Sequence, residues 1–193
     1  MTPSVQRRKA PLLRRVVGTV FYNLPHPIRR RIVRIATPTY TLGSVVLVMD
    51  AERARLLMLR QPPGRRWSLP AGLLNRREQP IDGARRELAE ETGIEAELAE
   101  LEPAVPCAVV HTHGRWVDNV FRLVRDPELT QVIVDGHEVW DAGWHPVDAL
   151  PEMTRATAKL LSHYGLGPLA QGRLFLGIRY SSGPAVSAIT QSR

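Results

Sequence analysis

Residues 72–94 read Gly72-Leu-Leu-Asn-Arg-Arg-Glu78-Gln-Pro-Ile-Asp-Gly-Ala-Arg-Arg86-Glu87-Leu88-Ala-Glu90-Glu91-Thr-Gly93-Ile94. Pro80 suits the first turn of a helix and Gly93 suits the position just past its end, so the spacing predicts a helix over Pro80 to Thr92. At about 100° per residue, Ile81 and Leu88 fall within roughly 60° of Ala84, an apolar stripe that must face a core. Glu87, Glu90 and Glu91 share the adjacent sector, spread over roughly 100°, with Arg86 one turn before Glu90. Three carboxylates at such spacing repel one another unless a cation joins them. A cluster of hard oxygen donors suits Mg²⁺ or Mn²⁺, which keep waters and take substrate phosphate oxygens. The triple alone is equally compatible with a solvated acidic helix face.

Outward from this helix the chain alternates between strand and turn signals. Tyr40 to Met49 is rich in β-branched residues, and Arg55 to Leu59 follows an Asp50–Ala54 turn, which predicts a hairpin. Gln61–Arg66 holds two prolines and a glycine and reads as a loop. Ile94–Leu101, Val105–Thr112 and Val117–Val124 read as strands, with Val139–Trp144 a weaker candidate. Pro151 to Tyr164 reads as a closing helix capped by Gly165. Strands around one central helix, with another helix at the end, give an α/β or α+β layered domain. The expected organisation is a basic helical arm over residues 1–38, a domain over 39–165 and a tail over 166–193, mobile from Ser181, where Ser, Gly and Ala are frequent.

Composition narrows the class. Of 193 residues, 44% are hydrophobic and 23% charged, which excludes wholesale disorder and low-complexity architectures. Cys107 is the only cysteine, so no intrachain disulfide exists; within Val105 to Val110 it reads as a small buried hydrophobe in a reducing compartment. No apolar run approaches the ~18 residues of a membrane span. The net charge of +7 is unevenly placed, because residues 1–49 carry nine Lys or Arg and no acid. The arm contains a twin-Arg pair, Arg7 and Arg8, but Arg14 and Arg15 interrupt the apolar stretch beyond it and no cleavage site follows, so the expected location is cytoplasmic. Residues 12–22 have helical apolar spacing. After Pro25 and Pro27, Ile28, Ile32 and Ile35 recur at i, i+4 and i+7 among Arg29, Arg30, Arg31 and Arg34. Such a helix either packs its isoleucines on the domain or lies on an anionic membrane or nucleic acid.

The stretch from Gly72 to Ile94 resembles the Nudix hydrolase signature, Gly-x5-Glu-x7-Arg-Glu-apolar-x-Glu-Glu-x-Gly-apolar. Gly72, Glu78, Arg86, Glu87, Glu90, Glu91 and Gly93 match its fixed positions, and Leu88 and Ile94 its apolar ones. A full match by chance is on the order of one in ten million at average residue usage. The resemblance implies a mixed β-sheet sandwiched between helices and Mg²⁺-dependent hydrolysis of a diphosphate bond in a nucleoside diphosphate linked to another moiety. It implies Glu87, Glu90 and Glu91 as metal ligands, joined by the carbonyl of Ala71, with Mn²⁺ as an alternative ion. It also implies that Arg86 orients the carboxylates and that Glu78 braces the loop onto the helix. Where the family often has Gly-Gly, this chain has Ala71-Gly72, a change that a backbone ligand tolerates.

Metal ions bridging diphosphate oxygens neutralise charge and lower the pKa of an attacking water, and a general base must then reach that water. Glu90 within the helix is one candidate; the resemblance implies a second, Glu138 in the loop Asp135-Gly136-His137-Glu138, since several family members recruit a Glu from a late loop. Glu138 reads equally as a solvated loop carboxylate. Substrate-binding candidates are Arg65, Arg66, Trp67, Gly72 and His111. Each of the side chains has a plainer reading: solvated arginines, a tryptophan packed at the loop root, and a polar sheet face shared by His111 and His113. Auxiliary patterns of coenzyme A, NADH, dinucleoside polyphosphate and ADP-ribose enzymes are missing, leaving a nucleoside triphosphate or nucleotide sugar. The expected partner is a small nucleotide, with a homodimer as a further expectation. The alternative is a nucleotide-sensing domain without turnover, or a domain docked through its basic arm.

Overall fold

The computed structural model describes residues 11–170. The twin-Arg pair and the tail from Ser181 lie outside these residues. The chain divides into two compact units at the Tyr40/Thr41 junction. The first holds α1 (Leu12–Asn23) and α2 (His26–Ala36), separated by Leu24 and Pro25 in extended backbone. Prolines at the N-cap and near the start of α2 fit the first turn, where no amide hydrogen is needed.

The second unit is a seven-stranded mixed sheet between two helices. Its strands are β1 (Thr41–Met49), β2 (Arg55–Arg60), β3 (Trp67–Ser68), β4 (Ala71–Leu73), β5 (Glu102–His111), β6 (Trp116–Val124) and β7 (Asp141–Pro146). The order is β3-β2-β1-β6-β5, with β4 paired to β1 and β7 to β2. β1 runs parallel to β6 from Thr41 opposite Trp116 to Met49 opposite Val124, so the sheet's central pair joins distant parts of the sequence. β1 is buried from Gly43 to Met49, and its side chains alternate between two cores. Val46 and Val48 pack with Ala84 and Leu88 of α3 (Pro80–Thr92). Val45, Leu47 and Met49 pack on the other face with Ala158, Leu160 and Leu161 around α4 (Arg155–Leu161).

The expected hairpin forms, with Asp50 Oδ1 accepting hydrogen bonds from the amides of Ala54 (2.6 Å) and Arg55 (2.9 Å). α3 has the expected bounds, and Gly93 ends it at φ 68° in the left-handed region. Several expectations are corrected. Ile94–Leu101 is not a strand: the Glu97 amide bonds the Glu100 carboxylate (2.8 Å) in a capping box, which closes a 3-10 turn at Leu98–Glu100. Ile94, Ala96 and Leu101 are buried there without a partner strand, so apolar spacing signalled burial rather than pairing. The closing helix begins at Arg155, not Pro151, because Thr154 caps it and the preceding residues bond the main chain of Trp67. The last strand begins at Asp141, since the Val139 amide is taken by Asp135. Cys107 is exposed rather than buried, on the edge strand β5, whose register shifts between Pro103 and Ala108. His113 lies in the β5–β6 turn and so does not share a strand face with His111.

Candidate active site

The burial of the three helix glutamates follows their angular distance from the apolar stripe. Glu91, nearest to Ala84 on the wheel, is 7% exposed, whereas the side chain of Glu87 is 14% exposed and that of Glu90 56%. Glu91 Oε2 accepts a hydrogen bond from the Ala71 amide (2.8 Å), which ties the last turn of α3 to the start of β4. Its Oε1 accepts one from the side chain of Gln61, in the loop after β2, and Gln61 is itself held by Ser68. Burial is the main cause that pushes the Glu91 carboxyl up to about 8, and the negative charges of Glu87 and Glu138 add to it. The two hydrogen bonds act in the opposite direction.

Arg86 organises the loop that enters the helix. Its Nε donates to Glu78 (2.8 Å), its Nη1 to Glu87 (2.7 Å) and Glu90 (3.0 Å), and its Nη2 to Glu78 and the Leu73 carbonyl (both 3.1 Å). A planar guanidinium can serve these acceptors at once, which an ammonium cannot. Glu78 also accepts from the Asn75 amide (2.7 Å), and Arg86 holds its carboxyl down to about 2. Gly72 is required for close approach: a Cβ there would stand 1.9 Å from the Glu87 carboxyl carbon. Gly83 likewise leaves room for Leu74 beside Glu78.

The loop carrying Glu138 is fastened to the end of the same helix. The Ile133 amide bonds the Thr92 carbonyl (2.8 Å), and Ile133 packs against Gly93. Asp135 Oδ1 accepts the amides of His137, Glu138 and Val139, fixing the turn. Glu138 is exposed, yet its charge reaches Glu91.

These donors suit a hard divalent cation in kind. The crowding of Glu87, Glu91 and Glu138 raises a carboxyl pKa, a cost that a bound cation would remove. As the side chains stand, Glu87 and Glu90 are turned to Arg86, and among the described residues no three metal-ligating side chains converge. Holding an ion requires these two carboxylates to swing away from the guanidinium.

The other residues expected to bind substrate are dispersed. Arg66 pairs with Glu152 (2.8 Å), and Arg65 is exposed. Trp67 meets His145 edge-on at 4.5 Å and packs on the core beneath α4. His111 is buried, stacks on Trp116 at 4.5 Å and stands 2.9 Å from Asp118 Oδ2. A cavity of about 400 Å³ beside Ala71, Gly72 and Leu73 is lined also by Gly43, Trp116 and Asp118. Sequence reasoning missed Gln61, whose reach to Glu91 no spacing rule signals, and the Leu73 carbonyl, which only the folded loop brings to Arg86.

Comparison with known proteins places this arrangement. The chain is 33% identical over 84 residues to Nudix hydrolase 8 of Arabidopsis thaliana, covering 42% of this chain and 21% of that protein. It is 31% identical over 138 residues to CMP-5'-(N-acetyl-N-hydroxy-3-aminopropyl)phosphonate hydrolase of Streptomyces rubellomurinus, covering 66% of this chain and 63% of that protein. It therefore spans less than two thirds of the length of either relative. The MutT NUDIX hydrolase of Burkholderia pseudomallei superposes with a TM-score of 0.54 at 25% identity, over 65% of this chain and 98% of that structure. Residues 39–164, well over half of the chain, match the model of the NUDIX domain. With the signature residues gathered on one loop and helix, and this match spanning the mixed sheet, the chain belongs to the NUDIX family.

Proposed function

We propose that this chain hydrolyses the diphosphate bond of a nucleoside diphosphate linked to another moiety, of the nucleoside triphosphate or nucleotide sugar type, with Mg²⁺ as its ion and Mn²⁺ as a substitute. The observation that carries this reading is Glu91, a buried carboxylate held between the Ala71 amide and Gln61 with its pKa pushed up to about 8 beside other carboxylates. A buried, crowded carboxylate is costly for a merely structural helix and useful to one that binds a cation. When bound, the divalent ion neutralises the diphosphate and acidifies the attacking water.

The chain's own residues have separate tasks. Glu87, Glu90 and Glu91, with the Ala71 carbonyl, would hold the ion. Arg86 positions the carboxylates, and Gly72 keeps the loop close against Glu87. Glu138, on its fastened loop, or Glu90, the most exposed of the helix carboxylates, takes the proton of the water. The cavity beside Ala71–Leu73 receives the nucleoside, and Arg65 and Arg66 lie on the loop where they meet outer phosphates. The setting we infer is the cytoplasm, since a single exposed cysteine suits a reducing compartment. Titration of Mn²⁺ by electron paramagnetic resonance tests the ion site: the wild-type protein should bind the ion, and Glu87→Gln with Glu91→Gln should lose at least tenfold in affinity. Equal binding by both would place the ion elsewhere.

A further inference from the structure

The N-terminal unit carries chemistry that diphosphate hydrolysis does not use. Residues 1–49 hold nine cations and no anion. On α2, Ile28, Ile32 and Ile35 fall within roughly 60° of one another at about 100° per residue, with Arg29 and Arg31 at the two margins and Arg30 and Arg34 opposite. The helix has no buried residue, and Ile28, Ile32 and Ile35 are 48%, 41% and 80% exposed. On α1, Val17, Val20 and Tyr22 are exposed as well. Arg29 stands over the Tyr22 ring at 6.0 Å, so the two helices meet within the unit.

We propose that α1 and α2 form a peripheral anchor that lies in the interface of an anionic lipid bilayer. The isoleucines enter the acyl boundary while Arg29 and Arg31 extend their stems along it and place their guanidinium groups among the phosphates. Charge complementarity selects the occupant. A duplex nucleic acid satisfies the arginines but offers no apolar surface to cover three isoleucines. A second copy of the chain covers the isoleucines but sets nine cations against nine, with no acid in the arm to pair them. The helices do not span the bilayer, since 12 residues make about 18 Å against a hydrocarbon core of roughly 30 Å.

Flotation of the full-length chain with phosphatidylcholine vesicles, with and without phosphatidylglycerol, tests the anchor. The protein should float with the anionic vesicles only. Arg29, Arg30, Arg31 and Arg34 changed together to Gln should weaken binding on the order of a few hundredfold, at about fivefold per arginine near the surface. Ile28→Ser with Ile32→Ser and Ile35→Ser should abolish flotation while the circular dichroism of the NUDIX domain and its thermal transition stay in place. Retention of flotation by the triple Ser variant, with equal retention on duplex DNA, would overturn the proposal in favour of a phosphate surface read by charge alone. A wild-type chain that ignores anionic vesicles and instead dimerises through the isoleucines would also overturn it. Neither outcome touches the hydrolytic reading, because these variants leave the residues of the loop and α3 unchanged.

Discussion

Glu91 links burial to chemistry through one proton. In the folded protein without bound cation its carboxyl titrates at about 8 instead of 4.5. The folded state thus holds the proton more tightly than the unfolded chain, so stability is greatest below the ordinary carboxylate pKa and falls as pH rises towards 8. This one group accounts for roughly 4 kcal/mol of lost stability between about pH 5 and pH 8. Thermal melts across that range in a chelator should show the decline for the wild-type chain and a flatter profile for Glu91→Gln. Equal slopes in both would assign the pH dependence to other groups. Cation binding at neutral pH should release a proton from the same carboxyl, visible as calorimetric heats that change with buffer ionisation enthalpy. Gly72 makes a complementary case. Its missing Cβ leaves room for the movable Glu87 carboxylate, so Gly72→Ala should displace that carboxylate more than it strains the backbone. Activity should fall at least tenfold while the melting temperature shifts by only a few degrees; a variant with normal metal dependence would show that Glu87 does not need the space at Gly72.

At the level of elements, one guanidinium joins the loop from β4 to α3 to the helix carboxylates. Arg86→Ala strands the Leu73 carbonyl and leaves Glu78, Glu87 and Glu90 without their shared donor. For a partly exposed network this should cost about 1–3 kcal/mol, read as a lower melting temperature without metal, and Mg²⁺ should restore part of it. Arg86→Lys should recover little, because a single ammonium cannot reach those acceptors; full recovery would reduce the role of Arg86 to bare charge. This element was legible in the sequence because its constraints are local: a proline start, a glycine stop, an apolar stripe and fixed spacing. Ile94–Leu101 was not, since its apolar residues are buried by packing on α3 while a Glu97–Glu100 capping box bends the backbone. The parallel pairing of β1 with β6 joins segments far apart in sequence and leaves no local signal. For the same reason the acidic cluster of Glu87, Glu90 and Glu91 could be read from spacing, whereas Gln61 and the fastening of the Glu138 loop could not.

For the whole molecule, the charge asymmetry assigns different physics to the two units. The contacts proposed for the arm rest on cations with no acid among residues 1–49, and they should weaken with salt as the Debye length falls to about 3 Å near 1 M. The carboxylates of α3 are hydrogen-bonded and partly buried in the second unit, where such screening is weaker. In the proposed function, the carboxylates of α3 run a metal-dependent cleavage of diphosphate bonds. The most direct measurement is phosphate and mononucleotide release from a panel of nucleoside triphosphates and nucleotide sugars, with saturating Mg²⁺ and with chelator, for the wild-type chain and Glu91→Gln. The wild type should cleave at least one compound with Mg²⁺ and none with chelator, and the variant should lose about a thousandfold or more despite retained folding. Undiminished turnover by Glu91→Gln, or no cleavage anywhere in the panel by a metal-loaded wild-type chain, would rule out hydrolysis through these carboxylates.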